Sequence, residues 1–63
     1  MKNKIKEYRL EKKLTQTELA KISGVSRTVI AQLESGVRVN VTVETMLKIS
    51  KALGKSVEKI FLL

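Results

Sequence analysis

The 63-residue chain contains no cysteine, histidine, proline or tryptophan, and only one tyrosine and one phenylalanine. Each absence closes a route to stability or chemistry. Without cysteine and histidine there are no disulfide staples, none of the commonest transition-metal ligands, and no Cys or His nucleophile paired with a base. No metal, no cofactor and no catalytic residue is therefore expected. Absent cysteine fits a reducing compartment, and no apolar run approaches the roughly 18 residues of a membrane helix or forms a signal-peptide core. A cytoplasmic location without a membrane partner is the expectation. The shortness points to one domain over residues 1–63, because about 60 residues bury only about 60% of their unfolded surface and cannot divide the core further.

What the chain has in excess is positive charge. Thirteen Lys and Arg face six acidic residues, giving a formal +7. Such a charge attracts polyanions, either nucleic acid or an anionic membrane surface. Ten of the cations are lysines, which equally suit a merely soluble surface, so charge alone does not choose a partner.

The three glycines each follow a stretch of helical periodicity, where a residue without Cβ closes the last turn in left-handed conformation. They divide the chain into five predicted helices and define an all-α fold. The first runs over Lys2 to Lys13, with Ile5, Tyr8, Arg9 and Lys12 in one row. Thr15-Gln16-Thr17-Glu18 has the form of a capping box and opens a second helix from about Gln16 to Ser23. Ser26 caps a third over Arg27 to about Ser35, which Gly36 ends. Thr42 caps a fourth over Val43 to Leu53, stopped by Gly54, and Ser56 caps a short fifth with Val57, Ile60, Phe61 and Leu63 on its apolar side. Between Gly36 and Val43, valines alternate with polar residues at strand period. A solitary strand has no ladder partner in the chain, so this reads as an extended loop whose valines pack on neighbouring helices, in preference to a strand paired across a dimer axis.

The second helix, the turn at Gly24 and the third helix make a helix-turn-helix arrangement. Leu19 and the small Ala20 face Val25, Ile30 and Leu33. On a helical projection Arg27, Thr28, Ala31, Gln32 and Ser35 fall within an arc of roughly 140°, opposite Ile30 and Leu33. Arg can bond guanine O6 and N7, Gln adenine N6 and N7, and the Thr methyl can touch that of thymine. A solvated face would carry similar residue types. However, Arg27 and Thr28 occupy the first turn, the end of a reading helix that enters the groove.

The run Leu14-Thr15-Gln16-Thr17-Glu18-Leu19-Ala20, with Gly24-Val25-Ser26 and Ile30-Ala31-Gln32-Leu33-Glu34-Ser35-Gly36, resembles the lambda-repressor/Cro type of helix-turn-helix, also called the xenobiotic-response-element family. The resemblance covers nearly the whole chain. It implies a compact five-helix domain that binds operator DNA as a two-fold dimer. It further implies base contacts from Arg27, Thr28 and Gln32, and a phosphate held by Gln16, which also buttresses a side chain of the third helix. Thr15 and Ser35 are further phosphate candidates, and Arg38 and Asn40 are candidates in the following loop. Arg9 and Glu34 match a pair that joins the first and third helices as a structural ion pair; an unpaired charge on the inner row of the first helix would cost several kcal/mol, by order of magnitude.

At Val41 the chain departs from the family, where a proline commonly precedes the fourth helix. Thr42 alone is left to set that boundary, and the loop takes on the character of a packing surface. Glu7 and Glu11 lie on a solvated helix and read as surface ion pairs. A reading helix spans only a few base pairs, so two copies about 34 Å apart are expected. Val37, Val39, Phe61, Leu62 and Leu63 are the candidate dimer residues. The competing reading keeps the fold but not the autonomy: an interaction module, such as the DNA-binding-fold half of a toxin–antitoxin pair, with its apolar loop and C-terminus against a protein partner.

Overall fold

Four of the five helices in the computed structural model, which describes residues 2–37 and 40–62, begin at a hydroxyl side chain. Thr15 accepts from the Glu18 amide, Ser26 from Val29, Thr42 from Thr45 and Ser56 from Lys59. Each satisfies a first-turn donor that has no acceptor inside its helix. The helices that follow are α2 (Gln16–Ser23), α3 (Arg27–Ser35), α4 (Val43–Leu53) and α5 (Val57–Phe61), preceded by α1 (Ile5–Glu11). No strand occurs among the described residues.

The box at the start of α2 is complete, because the Thr15 amide also donates to the Glu18 carboxylate at 2.8 Å. That amide, with the Thr15 hydroxyl as the smaller cause, holds the Glu18 carboxyl below the ordinary glutamate range. A depressed carboxylate contributes stability above its unfolded value and loses it as pH falls through the folded one. Glu18→Gln keeps a residue able to cap but removes the titration. The urea midpoint of this variant is expected to fall less than that of the wild type between neutral pH and about pH 3, and an equal fall in both proteins would refute the assignment.

α1 is shorter than its apolar periodicity predicts at both ends. Ahead of it, the Lys4 amide donates to the Ile60 carbonyl at 2.7 Å. The Asn3 side chain accepts from the Ile5 amide and donates to the Leu33 carbonyl at 2.9 Å. These bonds spend residues 3 and 4 on tying the N-terminal segment to α5 and α3. Behind it, Lys13 turns left-handed at φ 57°. The Lys13 amide reaches Leu10 and the Leu14 amide reaches Arg9, a closing motif that most often uses glycine.

α2 packs on α3 and α4, α4 on α5, and α1 on α3 and α5. Ile5, Leu19, Val25, Ile30, Leu33, Ile49, Leu53, Ile60 and Phe61 form the shared core. Burying each such side chain contributes about 1.5 to 3 kcal/mol relative to exposure, so the helices are held mainly by this cluster. Two expectations for the apolar residues need correction. Phe61, a candidate for the dimer surface, is only 3% exposed and belongs to the core. In the loop before α4, Val41 does pack on the core but Val37 stands exposed, and Val43, the first residue of α4, is 69% exposed.

Candidate nucleic-acid interface

The turn between α2 and α3 is built from three adjacent residues with different tasks. Ser23 is buried, and its hydroxyl accepts from the Val25 amide at 3.2 Å. Gly24 is left-handed at φ 75°, where a Cβ would be strained although there is space for it. Val25 drops into the core. Together they turn the chain within three residues and let Ser26 cap α3 at once.

Ile30 and Leu33 then fix the rotation of α3 by burying its inner side. Arg27 and Thr28 are exposed in the first turn, and Gln32 is half-buried one turn further on. Ser35 is exposed, but its hydroxyl donates to the Gln32 carbonyl at 2.9 Å, so its proton is engaged within the helix and the oxygen is left only to accept. Thr15 is exposed at the cap of α2, and Asn40 is exposed in the loop before α4. Arg38, Val39 and Leu63 lie outside the described residues.

Behind this face is a buried polar cluster. Arg9 donates through Nε to Glu34 Oε2 at 2.7 Å and through Nη2 to Glu34 Oε1 at 3.0 Å. Its Nη1 donates to the Leu14 carbonyl at 2.6 Å. The two side chains are only 9% and 5% exposed. Hydrogen bonding to the Glu34 carboxylate raises the Arg9 guanidinium above its ordinary range; burial pulls the other way, and the carboxylate's charge adds a smaller raise. Glu34 Oε1 also accepts from Gln16 Nε2 at 3.1 Å. The first residue of α2 is thereby tied to the last turn of α3.

Several contributors escape sequence reasoning. Asn3 and Ser23 carry no periodic signal, because each acts through side-chain hydrogen bonds to backbone groups. Val43 and Leu47, one turn apart on α4, are exposed together with Leu62; the pattern that marks an apolar row does not say whether a neighbour covers it. An open groove of about 340 Å³ runs between Lys2, Asn3 and Lys4 on one side and Leu33 to Gly36 on the other, with Leu62 at its edge. Among the described residues no cluster of acidic, His or Cys side chains could hold a metal ion, and no helix is long and apolar enough to cross a membrane.

Two short helices joined by a glycine turn, the second presenting an outward polar face, define a helix-turn-helix unit. The family model described as Helix-turn-helix matches residues 5–60. An HTH-type transcriptional regulator of Methanocaldococcus jannaschii is 44% identical over 62 residues, covering 98% of this chain and 92% of that protein. Control protein C.SmaI of Serratia marcescens is 43% identical over 56 residues, covering 89% of this chain and 66% of its own length. The crystal structure of the restriction-modification controller protein C.AhdI from Aeromonas hydrophila matches with a TM-score of 0.80 at 34% identity, over 89% of this chain and 83% of that one. The chain belongs to the lambda-repressor/Cro-type helix-turn-helix family, whose relatives here are transcriptional regulators and controller proteins.

Proposed function

We propose that the protein is a sequence-specific transcriptional regulator that binds a palindromic operator as a homodimer, with α3 in the major groove. The observation that carries this reading is the polarity of α3: Ile30 and Leu33 are sealed in the core while Arg27 and Thr28 stand exposed in the first turn. Base selection falls to Arg27, Thr28 and Gln32. Thr15, Gln16, Ser35 and Asn40, with Arg38 beyond the described residues, hold the phosphates, and the +7 charge supplies a salt-sensitive attraction common to all sequences. The likeness to two controller proteins, one of them from a restriction-modification system, supports a regulatory rather than a catalytic role.

Size supports the dimer. One copy measures 23 × 22 × 19 Å, whereas equivalent major-groove faces recur about every 34 Å along the duplex. A second copy supplies the other half-site, with Val37 and Leu62 as described candidates for the contact and Val43 and Leu47 as an adjoining apolar supply.

Selection of bound duplexes from a random library tests the reading directly. The wild type is expected to return a palindrome. Arg27→Ala should relax the preference at one position of each half-site, by roughly fivefold to a hundredfold, since a bidentate base contact is worth about 1 to 3 kcal/mol of discrimination. An unchanged preference in Arg27→Ala would show that the register of α3 is wrong.

A further inference from the structure

Resting on the DNA-binding reading above, we propose that Glu34 is a positioning residue for DNA contact: it fixes which way the Gln16 amide faces the duplex. A carboxylate only accepts, and Glu34 Oε1 lies 3.1 Å from the Gln16 amide nitrogen. The Gln16 NH2 group is therefore turned inward with one hydrogen engaged. Its second hydrogen and its carbonyl oxygen are what remain for the outside. An unheld glutamine would sample both amide orientations and several rotamers, and it would lose that freedom on binding.

Glu34 is itself held. Both its oxygens accept from Arg9, whose third hydrogen bond goes to the Leu14 carbonyl immediately before the cap of α2. Leu14, Arg9, Glu34 and Gln16 thus close a ring that ties the entry of α2 to the end of α3. With the ion pair almost wholly withdrawn from water, competition from solvent for the Glu34 oxygens is weak. A well-packed apolar pair in place of two buried charges is often as stable or more so. Such a pair would join α1 to α3 but could not accept from Gln16. The buried carboxylate therefore does something for the interface that packing would not.

The test is a double-mutant cycle read in DNA affinity, on the duplex selected by the wild type, with folding of every variant checked by circular dichroism. Gln16→Ala is expected to weaken wild-type binding about tenfold, as for loss of one charge-assisted contact. In an Arg9→Met with Glu34→Leu background, which leaves the Gln16 amide no carboxylate to donate to and strands no charge, the same substitution should cost less than about twofold. If that pair does not fold, Arg9→Leu with Glu34→Met provides the background. An equal cost of Gln16→Ala in wild type and background would overturn the proposal. A second readout uses free protein: the two Gln16 side-chain amide protons should be widely separated in the nuclear magnetic resonance spectrum of the wild type and converge in the background, and failure to converge would also overturn it. A wild type that bound no duplex would sink the DNA-binding reading itself, whereas one that binds with additive variants would sink only the role of Glu34.

Discussion

Arg9→Met is expected to destabilise the protein by about 3 kcal/mol or more, the scale on which removing one partner of a buried ion pair leaves the other charge stranded. The side chain it removes makes three hydrogen bonds, two to Glu34 and one to the Leu14 carbonyl. The stranded Glu34 would keep only the Gln16 amide. A chain of this length has a total stability on the order of 3 to 9 kcal/mol, so the variant should stand near its unfolding transition at room temperature. Urea denaturation followed by circular dichroism measures the difference. Arg9→Met combined with Glu34→Leu should recover most of it, because the second change removes the stranded charge. The sign of any pH effect follows from the raised guanidinium. Its contribution is complete below the ordinary arginine range and is lost only above it. The gap between wild type and Arg9→Met should therefore stay level from about pH 6 to pH 9. A loss below about 1 kcal/mol would mean that Glu34 finds compensation from water.

The contrast between α1 and the other helices shows what the sequence makes legible. Starts are readable where the capping group is a hydroxyl within three residues of the amide it serves, as at Thr15, Ser26, Thr42 and Ser56. Ends are readable at Gly24, Gly36 and Gly54, each of which is left-handed. α1 has neither signal. Its start is set by Asn3 and Lys4 bonding to Leu33 and Ile60, residues distant in the chain, and its end by a lysine in a conformation glycine usually takes. The outward face of α3 was readable because two buried residues determine the rotation of nine. Gln16 meets Glu34 across 18 positions; no local spacing carries that contact, and only resemblance to a family suggested that Gln16 buttresses α3. Burial was the least legible property. Phe61 and Leu62 are neighbours of similar apolarity, yet one is core and the other half exposed, because the helix ends between them.

That difference makes Leu62 the position at which assembly can be separated from folding. It caps α5 at φ 57° and ψ 45°, half exposed beside the groove that Ser35 and Gly36 line. Aspartate tolerates this left-handed conformation better than leucine does. Leu62→Asp should therefore leave the stability of one copy within about 0.5 kcal/mol, as is usual for surface changes. In an isologous dimer the same residue approaches its symmetry mate or the mate's neighbours. The substitution would then bring two like charges into an apolar contact, where desolvation is costly and nothing compensates. Sedimentation at micromolar concentration is expected to show a dimer for the wild type and a monomer for Leu62→Asp. Affinity for the full palindrome should fall by about a hundredfold or more, the scale of lost avidity when two linked sites become independent. Binding to an isolated half-site should be unchanged. Leu10→Gln alters an equally exposed apolar residue, 55% accessible on α1, and should change neither mass nor affinity. If Leu62→Asp stayed dimeric, Leu62 would not be the contact, and the exposed Val37 and the Val43 and Leu47 row of α4 would be the next positions to change. If the wild type were monomeric and co-purified with a different chain in equal amount, the apolar edge would belong to an interaction module, and the second half of the binding site would come from that partner's assembly.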